Sequence, residues 1–136
     1  MSSPGDARHQ ARERALSLLY EADLKDLDPA EVLAALPASP DPLAAELVAG
    51  VASARAEIDD LLGAAAVGWE VDRMPVVDRA ILRLAAFELL GRTDTPVAVV
   101  IDEAVELAKE YSTDASPGFV NGVLTTVAKA VRGPGA

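Results

Sequence analysis

The sequence of 136 residues contains no cysteine. Disulfide scaffolds, thiolate zinc sites, iron–sulfur clusters and thiol nucleophiles are thereby excluded, and the composition suits a reducing compartment. A single histidine, His9, rules out a multi-histidine metal site, and the carboxylates lack a calcium-loop spacing, so neither metal nor cofactor is expected. No run approaches the roughly 18 apolar residues of a membrane span, and Met1 to Arg8 lacks the apolar stretch of a secretory leader. These absences predict a cytoplasmic protein. Enzymatic signatures are missing too: no phosphate-binding glycine loop, no dinucleotide fingerprint and no nucleophile elbow occurs. Adjacent carboxylates, Asp59-Asp60 and Asp102-Glu103, project about 100° apart on a helix and read as solvated surface rather than as proton-sharing pairs. A non-enzyme is expected.

What is present is a globular composition, 51% hydrophobic and 25% charged, in a length that supports one core and not two. Residues 1–136 are read as one domain, with 1–6 and 132–136 as flexible ends. Alanine is abundant and apolar residues recur at helical spacing, which predicts an all-α, compact single-domain bundle of six or seven helices. Asp6 is positioned to cap a first helix ending near Lys25. Asp28-Pro29 opens a short helix to Leu36, and Asp41-Pro42 opens a long one carrying Leu47, Val51, Ile58 and Leu62 to about Ala66. Val76 to Leu90 is apolar on nearly every face, the mark of a central helix. Pro96 and Ser116-Pro117 begin the last two helices, and the tail from Arg132 reads as frayed.

The formal charge of −10 opposes nucleic acid on average, yet residues 8–14 carry three arginines and one glutamate; that stretch is +2 and the remainder is −12. Screening over about 8 Å lets such a patch act on its own. Arg8, Arg12 and Arg14 sit where cations oppose the helix dipole, so helix stability does not ask for them. They read either as a solvated basic end partnered by Glu13 or, with the free N–H groups of the first turn, as a site for a polyanion. Phe119, on the edge of the last apolar stripe beside Gly118, reads either as core or as a stacking face for an unpaired base, and Asn121 has the donor and acceptor to read a base edge. Asp102, Glu103, Glu106 and Glu110 form an acidic ridge. It is either a solvated face neutralised by Arg79 or Arg83, or a surface for a basic partner.

Four segments taken together, RHQARERALSLLY at Arg8 to Tyr20, VVDRAILRLAAFELL at Val76 to Leu90, IDEAVELAKEYSTD at Ile101 to Asp114 and SPGFVNGVL at Ser116 to Leu124, resemble the NusB family of bacterial antitermination factors, in order and over nearly the whole chain. The resemblance implies an all-α, NusB-like adaptor that binds the boxA element of nascent transcripts, chiefly ribosomal RNA leaders, as a single strand. It also implies ribosomal protein NusE as partner, within the RNA polymerase antitermination complex with other Nus factors. By the same resemblance Arg8, Arg12 and Arg14 hold the RNA backbone with Tyr20 nearby, Phe119 belongs to the same face, and Asp78 faces NusE; His9, Gln10 and Asn121 complete the expected RNA-binding set, and Arg79 the expected partner-binding set. Many relatives carry successive arginines where this chain has His9 and Gln10, which shifts weight onto the partner. The alternative expectation is a protein-interaction module, or a homodimer that covers the basic helix and leaves RNA secondary.

Overall fold

The computed structural model describes residues 4–135. Seven α-helices and one 3-10 turn are formed among these residues, with no strand: α1 Pro4–Lys25, α2 Pro29–Ala34, α3 Pro42–Ser53, α4 Arg55–Ala65, the 3-10 turn Val71–Arg73, α5 Val76–Gly91, α6 Val97–Tyr111 and α7 Ser116–Arg132. The expected all-α bundle of six or seven helices is the architecture observed.

Two helix starts follow directly from local chemistry. The Asp28 carboxylate accepts from the Ala30 N–H at 2.8 Å and Asp41 from the Leu43 N–H at 2.8 Å, each just before a proline in the first helical turn. At the end of α1, Asp26 takes a left-handed conformation (φ 54°) while the Leu27 N–H reaches back to the Ala22 carbonyl, a Schellman-type stop. Helix α1 begins at Pro4, so Asp6 lies inside its first turn rather than preceding it as a cap. Residues 1–3 fall outside the described range.

Helix α5 is the axis of the molecule. It packs against α1, α3, α4, α6 and α7, and ten of its residues are buried, Asp78, Arg83 and Glu88 among them. The other helices form a ring around it: α1 touches α3, α4 touches α7, α7 touches α6, and side chains of α1 and α6 close the circle, with α2 laid across α1 and α3. This is the central position that an all-round apolar helix requires.

The stretch from Asp41 to Ala66 is not the single helix its pattern predicts. It bends at Ala54 (φ −103°, ψ 15°), although the Ala54 N–H still reaches the Gly50 carbonyl and the Ile58 N–H the Ala54 carbonyl. A straight helix of that extent would span roughly 36 Å, whereas α5 is roughly 24 Å long. The bend lets α3 lie on α1 and α5 while α4 turns toward α5 and α7. Glycine is required at position 50, where an added Cβ would stand 2.1 Å from the Phe87 ring.

The chain's end is also anchored more firmly than expected. The Arg132 guanidinium donates to the carbonyls of Glu88, Leu89, Arg92 and Thr95, which satisfies the C-terminal end of α5 and the turn into α6. Ser116, expected as a simple cap, is buried. It donates to Ser112 Oγ, which donates to Asp78, so a hydroxyl chain ties the starts of α5 and α7 to the end of α6.

Candidate nucleic-acid interface

The basic first turns of α1 divide into two kinds of arginine. Arg8 and Arg14 are exposed, as is Gln10, and neither guanidinium has a hydrogen bond or ion pair among the described residues. Arg8 lines a cleft of about 210 Å³ between the starts of α1, α3 and α6, with Arg92, Thr95 and Pro96 on its far side. Arg12, one turn further in, is not the free cation expected for a phosphate contact. It is 4% exposed and holds Glu88, 2% exposed, through Nε–Oε2 at 3.0 Å and Nη2–Oε1 at 2.9 Å. Burial lowers its basicity, but the hydrogen bond and charge of Glu88 outweigh that, and its pKa ends above the ordinary value. Sequence spacing alone places Arg8 and Arg12 on one strip; only the partner on α5 separates their roles.

His9 meets a set of carboxylates that sequence reading left on separate helices. Its Nδ1 donates to Glu103 Oε2 at 2.7 Å, and Nε2 faces Glu110 Oε1 at 3.4 Å and Glu13 Oε1 at 3.8 Å. The Tyr111 hydroxyl donates to the other oxygen of Glu13, which pushes the phenol up to about 12. The hydrogen bond with Glu103 raises the His9 pKa above the ordinary 6.5, opposed by burial and helped by the charges of Glu103, Glu13 and Glu110. A pKa raised by folding gives stability that is complete below the unfolded-state pKa and is lost as pH rises through the folded-state value. His9→Gln is therefore expected to cost stability in mildly acidic buffer and progressively less in alkaline buffer. Urea melts across that range in the presence of EDTA check this; a cost that grows with pH would contradict it.

The aromatic part of the expected interface stands elsewhere. Phe119 is half-buried on α7, packed against the core, and its ring centroid lies 5.6 Å from that of Trp69 at an interplanar angle of 55°. Trp69, 47% exposed, follows the left-handed Gly68 (φ 85°) in the loop after α4. Trp69 lies outside every apolar stripe, and its signal in the sequence is that of a sole tryptophan beside a turn glycine. Asn121 is exposed on the same helix as Phe119. Arg8 and Phe119 do not form one contiguous face. Arg8 sits near the C-terminal end of α5 and Phe119 on α7 near its N-terminal end, with α6 between α1 and α7 in the ring. Ten residues of α5 separate Asp78 from Glu88, roughly 15 Å.

Tyr20, 39% exposed, joins neither group. It lines a largely apolar cleft of about 460 Å³ with Leu16 and Ser17 of α1, Val77 of α5 and Tyr111 of α6, and Glu13 of the His9 cluster stands at the same cleft.

Asp78 and Arg79, expected to face a protein partner, are engaged within the fold. Asp78 is 4% exposed and accepts from Ser112 Oγ. Arg79 pairs with Asp23 at 3.1 Å and donates to the Asp72 carbonyl. Asp78→Lys would bury an unpaired ammonium against that hydroxyl chain and so would not leave the fold intact. Nor do Arg79 and Arg83 neutralise the acidic ridge: Arg83 holds Asp59 and Asp23, while His9 takes Glu103 and Glu110, and Lys109 takes Glu106. The reason is reach, since α1 and α4 bring Asp23 and Asp59 to the same stretch of α5.

Residues 9–129 match the NusB family. Among solved structures, the NusB of T. maritima is 37% identical with a TM-score of 0.81, covering 95% of this chain and 93% of that one. A chain in a crystal structure of a plectonemic RNA supercoil is 32% identical with a TM-score of 0.78, covering 90% and 94%. A chain in a crystal structure of the antitermination factors NusB and NusE in complex with double-stranded RNA is 30% identical with a TM-score of 0.76, covering 90% and 96%. The family match covers most of the chain, as does each of these structural likenesses at 30% identity or more, and the chain belongs to the NusB family.

Proposed function

We propose that this chain is a transcription antitermination factor that binds the boxA element of nascent, chiefly ribosomal, RNA together with ribosomal protein NusE. It acts in the cytoplasm as a single non-catalytic adaptor domain within the RNA polymerase antitermination complex. The observation that carries the reading is the likeness, over nine-tenths of the chain, to a chain from a structure that holds NusB, NusE and RNA. The unpaired Arg8 and Arg14, in a protein of charge −10, are the local feature that fits it. His9 and Gln10 lie on the same turns. Arg12 supports this surface from beneath through Glu88, and Asp78 and Arg79 brace the α5 start in the same way. Phe119, Trp69 and Asn121 offer a second, stacking contact to a strand long enough to reach them. Tyr20 and its apolar cleft suit a protein side chain better than a phosphate.

The test is binding of a boxA-like single-stranded RNA with NusE present and absent, read over a salt series. Arg8→Ala and Arg14→Ala are each expected to weaken binding and to flatten the slope of log affinity against log salt by about 0.7. Phe119→Ala is expected to cost about 1 to 3 kcal/mol of binding with the slope unchanged, since stacking releases no counterions. A thermal melt of the same variant separates stacking from lost core packing. Full affinity in both arginine variants, with a homodimer of covered α1 seen by sedimentation, would favour a protein-interaction module instead.

A further inference from the structure

The carboxylates around His9 are arranged as ligands. One nitrogen of His9 and one oxygen each of Glu13 and Glu110 lie within 4.8 Å of one another. His9 and Glu13 are one turn apart on α1, and Glu110 reaches them from the end of α6. Two of the three have an outer partner that fixes their direction: Glu103 holds His9 Nδ1 at 2.7 Å, and the Tyr111 hydroxyl holds the second oxygen of Glu13. A carboxylate on the far nitrogen of an imidazole is the usual support of a metal-bound histidine, because it sets the tautomer and turns Nε2 toward the ion. The charge is also unbalanced. Three glutamates share one imidazole, and among the described residues no lysine or arginine makes a salt bridge with any of them, although the charge of Arg12, already paired with Glu88, is felt by Glu103.

We propose that His9, Glu13 and Glu110 form a binding site for a divalent transition-metal ion of the zinc class. One nitrogen and two carboxylate oxygens, with a fourth position for water, make a three-ligand zinc set. The imidazole nitrogen selects such an ion over magnesium, which takes oxygen ligands and keeps its waters. On binding, His9 gives its Nε2 proton to solvent, and the ion's two positive charges replace the one of the imidazolium, so the net charge of the cluster rises from −2 to −1. The ion would tie the first half of α1 to α6, directly beside the unpaired Arg8 and Arg14. The inference is independent of the RNA reading.

The test is calorimetric titration of the chelator-stripped full chain with Zn²⁺ at about pH 7.5, where metal competes with the proton for the imidazole. Expected is saturable one-to-one binding in the micromolar range, with Mg²⁺ at least about a hundredfold weaker. His9→Gln and Glu110→Gln should abolish or weaken it by at least about tenfold, and Glu103→Gln should weaken it by about 10- to 100-fold through the lost support of the imidazole. Circular dichroism establishes that each variant is folded. Glu106→Gln, on the same acidic ridge, should leave zinc affinity unchanged. Absence of saturable binding below about 1 mM Zn²⁺, or affinity that survives His9→Gln, or an equal loss in Glu106→Gln, would overturn the site in favour of a diffuse acidic surface.

Discussion

Glu88→Ala is expected to destabilise the protein by about 3 to 5 kcal/mol, because it leaves the Arg12 guanidinium buried without its counter-charge. Both partners are almost fully enclosed, at 4% and 2% exposure, and the carboxylate takes three hydrogen bonds from the one arginine. The ion pair crosses from α1 to α5, so its loss also unfastens the helix that bears Arg8 and Arg14. Arg12→Ala has the corresponding defect with the sign reversed. Removing both charges at once with residues of similar volume, Arg12→Met with Glu88→Leu, should cost far less than either single change and can even stabilise. Urea denaturation of the three variants reads this directly. Single variants within about 0.5 kcal/mol of the parent would mean that water reaches the pair, as it does for surface substitutions.

Leu84→Ala should cost about 2 to 5 kcal/mol, through lost transfer free energy and the cavity left in a closely packed interior. Leu84 is 2% exposed on α5, the helix on which five others pack. Little relaxation is available there, since neighbouring helices on every side are already in contact and cannot all move inward together. Val99→Ala, at a residue 41% exposed on α6, serves as the control and should stay within about 0.5 kcal/mol. A Leu84 variant that melts like the Val99 variant would show that α5 is not the structural axis.

The outline of the fold could be read without coordinates because its signals are local. Asp28, Asp41 and the prolines beside them announce helix starts within three residues of themselves, and the all-round apolar character of Val76 to Leu90 already required a helix enclosed by others. The bend at Ala54 carried no such signal. Nothing in the composition of Ala52 to Arg55 breaks a helix; the bend divides the stretch between different neighbours, α1 and α5 for α3 and α5 and α7 for α4. Glycine at position 50 became meaningful only once the Phe87 ring was found against it.

For the candidate interface the division is sharper. The sequence by itself determined that positive charge is concentrated at the start of α1 in an acidic chain, that the fold is a helical bundle, and that its motifs are those of the NusB family. Which of those charges faces solvent was decided by tertiary structure alone. Arg8 and Arg12 are equivalent by spacing, yet Arg12 is matched by a glutamate 76 residues away and Arg8 is not. His9 likewise gains Glu103 from 94 residues away, while Phe119 and Arg8 end at opposite ends of α5. Helical periodicity relates residues three or four apart and says nothing about rotation or register between helices. Those are set by how side-chain ridges of different helices interlock, and a charge is solvated or spent according to that packing.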